Sequence, residues 1–223
     1  MKIIKQILTL ILSIPFVVGL MGLILFLPAG DLHWINGWIF IASLIFYLLL
    51  TFVYFIIKDP STLEKRRKLN TKKDDISFFF IISIIFLSLI IIPAFDYRLG
   101  WSQIPSTISL FGLCGLIISY LILFLVMREN SFASKGLMVH KNHIVIDTGP
   151  YSLIRHPMYV AFLIMSFSIP LALGSLIGII PVVLIPFIIA RRIRKEEEML
   201  HSELEGYNKY TKRVKYRLIP KIW

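Results

Sequence analysis

The chain has one cysteine, Cys114, among its 223 residues. That excludes an intrachain disulfide and a cysteine-built metal centre. A small buried apolar residue inside a membrane segment is the expectation for it. The five histidines are scattered, and no HExxH spacing is present, so no zinc centre and no metal partner is expected. Walker, GxGxxG and GxSxG patterns are missing as well, which removes the usual sequence marks of phosphate-binding loops and nucleophile elbows. Charge is scarce: 17% of residues are charged against 57% apolar. The long apolar runs hold no mid-span charge, which argues against an ion transporter or a pump. The short alternating segments of a membrane β-barrel are absent too.

What the sequence has in abundance is uninterrupted apolar length. Runs of about twenty residues can each cross ~30 Å of hydrocarbon. They predict an all-α, polytopic helical membrane protein with about six membrane segments, at roughly 7–28, 35–57, 76–95, 106–127, 157–173 and 175–190. Lys2 and Lys5 followed by an apolar run to Leu27 resemble a signal peptide. The run is too long for one and lacks a small-x-small cleavage site, so an uncleaved first span is expected.

The net charge of +11 could suggest nucleic acid, but its distribution does not. With both termini on one side, that side carries 23 of the 24 Lys and Arg and 11 of the 13 acids, and only Arg98 among the cations lies opposite. The positive-inside rule then places both termini in the cytoplasm. Attraction to anionic headgroups is a secondary effect. No nucleic acid partner is expected.

The polar segments differ in character. Residues 58–75 carry seven cations and four acids and look like solvated topogenic charge. Trp34, Trp38, Tyr97 and Trp101 fit interfacial aromatic belts. Residues 128–156 instead mix Ser, Asn, His and Gly with aliphatics. His143–Ile146 is a short extended or buried run, and Asp147-Thr148-Gly149-Pro150 is a turn signal. This loop is expected to fold against the membrane region and help form a pocket. Residues 157–190 are apolar throughout, and a single helix of that length would be about 50 Å long. Leu173-Gly174-Ser175 offers a turn, and Pro170, Pro181 and Pro186 disfavour one rod. A tight helical hairpin follows, with arms near the lower length limit for a span. Division at residue 127 gives a four-span membrane region, 1–127, and a second region, 128–223, that holds the unusual chemistry.

Taken singly, the candidate residues have bland readings. Arg155 would anchor in headgroups, His156 would cap, and Pro157 would begin the next helix. Tyr159 would belong to an aromatic belt. Arg192 and Glu196 are four apart on one helix face, a weak surface pair. His33, His140 and His143 would be packed or surface histidines, and His201 would be solvated. Together they are less easily dismissed, because the hairpin returns residues 191–198 to the side of residues 143–159. The shared site would sit at the lip of a lipid-facing groove.

GPYSLIRHPMY at 149–159, the short hairpin, RRIRKEEEML at 191–200 and a Tyr-rich basic tail ending in Leu218-Ile219-Pro220 resemble the isoprenylcysteine carboxyl methyltransferase family over roughly residues 128–220. The resemblance implies an integral membrane enzyme that transfers methyl from S-adenosylmethionine, with its site on the cytoplasmic face. It implies that His143, Ile144, Val145, Ile146, Tyr151, His156, Pro157, Met158, Tyr159 and Glu196 line the cofactor site. It also implies that Arg192 is the catalytic residue facing the acceptor carboxylate. Ala161 stands where the family commonly has glycine, and Leu204-Glu205-Gly206-Tyr207 is a shortened form of a family C-terminal pattern. A carboxylate acceptor is ionised at neutral pH and needs no general base. A thiol, amine or lipid acceptor is the alternative, with His156 or Tyr159 as the candidate base. An NADPH-dependent reductase of the sterol-reductase type is a further alternative, its phosphate site drawn from Arg191–Lys195.

Overall fold

Apolar composition and helix length set the frame. The computed structural model describes residues 2–59, 73–130 and 144–223, with side chains described from residues 12, 76 and 144 onward in those stretches. His140, His143 and most of the 58–75 loop lie outside the described residues. Among the described residues every regular element is helical. Four helices are long and apolar enough to cross a membrane: α1 (Lys2–Ala29), α2 (Ile35–Lys58), α3 (Lys73–Leu99) and α4 (Ser106–Glu129). A 3₁₀ turn, Gly149–Ser152, leads to the shorter apolar helix α5 (Pro157–Ala172). A second 3₁₀ helix, Ile177–Leu184, runs into α6 (Ile185–Glu203), and α7 (Tyr207–Arg213) follows.

The expectation of about six segments therefore resolves into four span-length helices and a hairpin. The outgoing arm, α5, is 16 residues long, about 24 Å at 1.5 Å per residue. The return arm is not the apolar α-helix expected over 175–190. Its first eight residues are 3₁₀, a form that rises about 2.0 Å per residue. Pro181 lies inside that stretch and Pro186 in the first turn of α6, and neither ring supplies an N–H. The stretched arm reaches the polar end at Arg191 after roughly 25 Å, so the two arms match.

Backbone contact holds the hairpin in place. α5 packs most extensively on α4. A side chain at Gly112 would run into the backbone of Leu171 and Ala172, and one at Gly115 into the Ser168 hydroxyl. Gly178 is wedged between Pro170 and Pro93, and a Cβ there would lie 2.7 and 2.8 Å from their rings. Ala161 is fully buried. At the turn end, buried Asp96 near the C-terminus of α3 accepts hydrogen bonds from the Ser102 amide (2.6 Å) and from the Ser102 and Ser175 hydroxyls (2.5 Å each). This carboxylate ties α3, the α3–α4 loop and the hairpin turn together.

Two expectations are corrected. Cys114 is exposed on the outer face of α4, because the buried face of that helix is carried by Gly112, Leu116, Ser119, Tyr120 and Leu123. Trp34 is buried, stacked on Tyr97 at 5.0 Å. It is a packing residue, whereas Trp38 and Trp101 remain exposed as a belt requires.

The α4–α5 contact generates a test. Gly112→Ala forces two backbones apart and is expected to destabilise the protein by about 1–3 kcal/mol. Gly19→Ala, with no described residue within 4 Å of the added methyl, should be neutral or stabilising by up to about 1 kcal/mol. Thermal unfolding of both variants in detergent reads the difference.

Candidate active site

The site is built around a helix stripe. Ile185, Ile189, Ile193 and Glu197 follow one another at i+4 spacing on α6 and are all buried. The first three extend the apolar core. The fourth places a carboxylate where an apolar side chain would be expected. Burying that charge is costly unless it is paired and hydrogen-bonded.

Its partners come from two distant segments. Arg155 Nε donates to Glu197 Oε1 at 2.7 Å, His156 Nε2 lies 3.2 Å from the same oxygen, and Arg217 Nε donates to Oε2 at 2.6 Å. Arg155 also donates through Nη1 to the carbonyls of Val214 and Lys215, 2.9 Å each. The main chain repeats the connection: the amides of Arg155 and His156 donate to the carbonyls of Tyr216 and Arg217. Burial alone would raise the pKa of Glu197, but the hydrogen bonds from His156, Arg155 and Arg217 outweigh it. They hold the carboxyl at about 2, against an ordinary 4.5.

The neighbouring carboxylate points elsewhere. Consecutive helix residues are about 100° apart around the axis, so Glu196 leaves the buried stripe. It accepts a hydrogen bond from the Tyr159 hydroxyl at 2.8 Å. Tyr159 is on the first turns of α5, which Pro157 opens at a position where no amide partner is needed. Buried Arg192, one turn before Glu196, acts on the Tyr159 hydroxyl both as a hydrogen-bond partner and as a charge. Its guanidinium carbon lies 4.5 Å from the centroid of Phe78 and 5.7 Å from that of Phe79, both on α3. Arg192 thus stands between the Tyr159–Glu196 pair and α3.

The remaining predicted site residues divide. Pro157 and partly buried Met158 lie in the same first turn as Tyr159. Tyr151, on the 3₁₀ turn, accepts from the Asn130 amide at 3.1 Å, and its carbonyl accepts from the Tyr210 hydroxyl at 2.8 Å. Gly149 adopts a φ of +55° against the Glu129 side chain, and Thr148 donates to Glu129 at 2.6 Å. Residues 144–147 have no regular structure; Ile144 is exposed, and Val145 packs on the cluster of Leu204, Tyr207, Tyr210 and Val214. His201 is exposed but engaged, 2.6 Å from Asn208 and edge-on to Tyr207. Among the described residues no His, Asp, Glu or Cys cluster could hold a metal.

Sequence reasoning missed Glu197, Arg217, Tyr207 and Phe78. Glu197 had a signal, the i+4 continuation of Ile185, Ile189 and Ile193. Tyr207 had a weaker one, its place after Gly206, which takes a φ of +85°. The Tyr207 hydroxyl is buried and has no hydrogen-bond partner among the described residues. It lies within electrostatic reach of Glu197, Arg155 and Glu196.

The Glu197 joint predicts an acid limb. Its folded pKa is depressed, so its contribution to stability is full above the unfolded value near 4.5 and is lost as pH falls toward about 2. Glu197→Gln leaves two guanidinium groups short of a partner and is expected to cost about 3–5 kcal/mol at neutral pH. It should also flatten the loss of stability between pH 4.5 and 2. Thermal unfolding across that pH range measures both effects.

No curated protein matches the chain. Residues 110–202 match the family model of the isoprenylcysteine carboxyl methyltransferase (ICMT) family. Among solved structures, the chain is similar to that of the eukaryotic intramembrane Ras methyltransferase ICMT (isoprenylcysteine carboxyl methyltransferase). The TM-score is 0.52 and the identity 20%, over 98% of this chain and 85% of that one. At that identity the likeness speaks for a shared fold. The RHPMY segment, the hairpin and the Glu196–Glu197 pair all lie inside the stretch that matches the isoprenylcysteine carboxyl methyltransferase family model.

Proposed function

We propose that the chain is an integral membrane methyltransferase that uses S-adenosylmethionine to esterify an isoprenylcysteine-type carboxylate at the cytoplasmic face of its membrane. The observation that carries this reading is the convergence of Tyr159, Glu196 and Arg192 at the polar end of the hairpin. Residues 128–223 supply most of the site, and residues 1–127 hold it in the bilayer. The concentration of Lys and Arg on the site's side of the membrane supports a cytoplasmic location.

The donor set suits an amino-acid-bearing cofactor. Glu196 offers a carboxylate to an ammonium or a ribose. The Tyr207 hydroxyl is a buried polar atom with no partner among the described residues. Tyr151, Pro157, Met158 and Val145–Ile146 supply flat and apolar surface. His156 belongs to the frame: its ring is buried against Glu197, so its part is to fix the start of α5. When bound, S-adenosylmethionine supplies a methyl group already activated on a sulfonium. Arg192 holds and orients the acceptor carboxylate, a task its planar fork suits. Transfer to an ionised carboxylate would need no proton to move, so the part of Arg192 would be to hold the acceptor oxygen in line with that methyl group while the opposite charges cancel. Such charge cancellation would be assisted by the burial of Tyr159 and Arg192, which limits water around them.

The same geometry disfavours a thiol or amine acceptor. Such a group must lose a proton, yet His156 is engaged by Glu197, and the Tyr159 hydroxyl already donates to Glu196. Neither candidate base is free. A reductase would turn Arg191–Lys195 to a phosphate, but Arg192 is stacked on Phe78 and faces Tyr159.

The test is label transfer from S-adenosylmethionine to prenylated cysteine by detergent-purified protein. Methyl ester formation is expected, with no product from a prenyl thiol lacking the carboxylate. Arg192→Ala should lower kcat/KM by roughly 100-fold, the equivalent of one charged hydrogen-bonded contact at ~2–3 kcal/mol. Arg192→Lys should not restore it. An Arg192→Ala enzyme with unchanged rate and KM would remove the clamp from the mechanism.

A further inference from the structure

α3 and α6 run antiparallel and leave a cleft of about 170 Å³ between them at the polar end. On α6 it is lined by Ile188, Arg191, Arg192 and Lys195, which share one helix face by their i, i+3, i+4, i+7 spacing. On α3 its walls are Ser77, Phe78 and Ile81. The lining is graded. Ile188 and Ile81 lie deeper in the apolar layer, and the three cations gather within the next two turns toward the polar end. A surface with cations at one end and aliphatic walls at the other is complementary to an amphiphile with a single anionic head.

We propose that this α3–α6 cleft is the acceptor site and that Phe78 is the positioning residue of its carboxylate clamp. The inference rests on the methyltransferase reading above and deepens it. Arg191 and Lys195 are exposed at the mouth and draw the carboxylate in. Arg192 receives it at the base of the cleft. The apolar chain follows Ile81 and Ile188 out into the bilayer, where Ile84 and Phe187 also face outward. Because Arg192 lies between this cleft and Tyr159, the acceptor approaches from the α3 side and the donor from the Tyr159–Glu196 side. The two would meet at the edge of the Arg192 guanidinium, where the acceptor oxygen would take the methyl group directly as its carbon–sulfur bond breaks.

Phe78 matters through geometry. With its carbon 4.5 Å from the ring centroid, the guanidinium is held by attraction to the ring face. That contact limits the ways in which its N–H groups can be presented to an incoming anion. Phe78 therefore acts through Arg192 and not on the acceptor itself.

A larger competitor exists. The groove between α2 and α4 has a volume of about 780 Å³ and is lined by residues such as Phe46, Leu50, Ile117, Tyr120 and Phe124. No cation is among the described residues lining that groove. A carboxylate placed there would lose its hydration without gaining a partner, a heavy cost in apolar surroundings. Charge complementarity decides for the smaller cleft.

The test combines kinetics with mapping. Phe78→Leu is expected to raise the acceptor KM roughly tenfold, the scale of a desolvated cation–π contact, with the cofactor KM unchanged. Phe78→Trp should preserve the wild-type value. Lys195→Glu should raise the acceptor KM and weaken its dependence on salt. A prenylcysteine analogue with a photoreactive chain should label peptides covering 76–84 and 187–195. Unchanged acceptor KM in both Phe78→Leu and Lys195→Glu would overturn the inference, as would labelling confined to 39–54 and 113–124. If Phe78→Leu does not fold, Lys195→Glu and the labelling pattern still decide. A wild-type protein that labels in the cleft but transfers no methyl would sink the parent reading while keeping the cleft as an amphiphile site.

Discussion

The arrangement of the site depends on one buried carboxylate. Glu197 takes the place of an apolar residue on the inner stripe of α6, and three side chains from outside that helix satisfy it. Arg155 and His156 come from the segment that starts α5, and Arg217 from the tail. One carboxylate therefore joins both ends of the hairpin to the tail. The cost of burying it is offset because both oxygens are engaged by cationic or ring N–H donors. Once this joint is made, Glu196 and Arg192 have only one direction left to face, toward Tyr159.

The membrane region serves the same end by length. The hairpin arms are matched by combining an α-helix of 16 residues with a 3₁₀ return arm, so Arg192 arrives level with the start of α5. Gly112 and Gly115 let α4 and α5 touch along their backbones, and the Asp96–Ser102–Ser175 cluster holds the turn at the far end. The hairpin is thus fixed at both ends, by a carboxylate in each case. At the polar end a second carboxylate, Glu196, is left outside the joint and pairs with the Tyr159 hydroxyl.

Much of this was legible in the sequence. Apolar run lengths give the four long helices, and Leu173-Gly174-Ser175 marks the turn. The i+4 spacing of Arg192 and Glu196 places them together. Other features were hidden because they depend on tertiary contacts. The 3₁₀ return arm follows from Pro181 and Pro186 acting with the packing of Gly178 against Pro93 and Pro170, which no local pattern reveals. The inward face of Trp34 depends on Tyr97, which is far away in the sequence. The pairing of His156 with Glu197 was hidden as well, because the two lie 41 residues apart. Cys114 read as buried because apolar periodicity is a poor guide where lipid, like the protein core, accepts apolar side chains.

The central claim is that Tyr159 and Glu196 form the methyl-donor side of one site, with Arg192 at its border with the acceptor, held in place by the Glu197 joint. Hydrogen exchange of the purified protein with and without S-adenosylmethionine tests it most directly. The account predicts added protection in residues 144–159 and 192–197 and in the 204–210 segment that carries Tyr207, with α1 and α2 unchanged. Protection confined to the α2–α4 face, or no change at saturating cofactor, would contradict it.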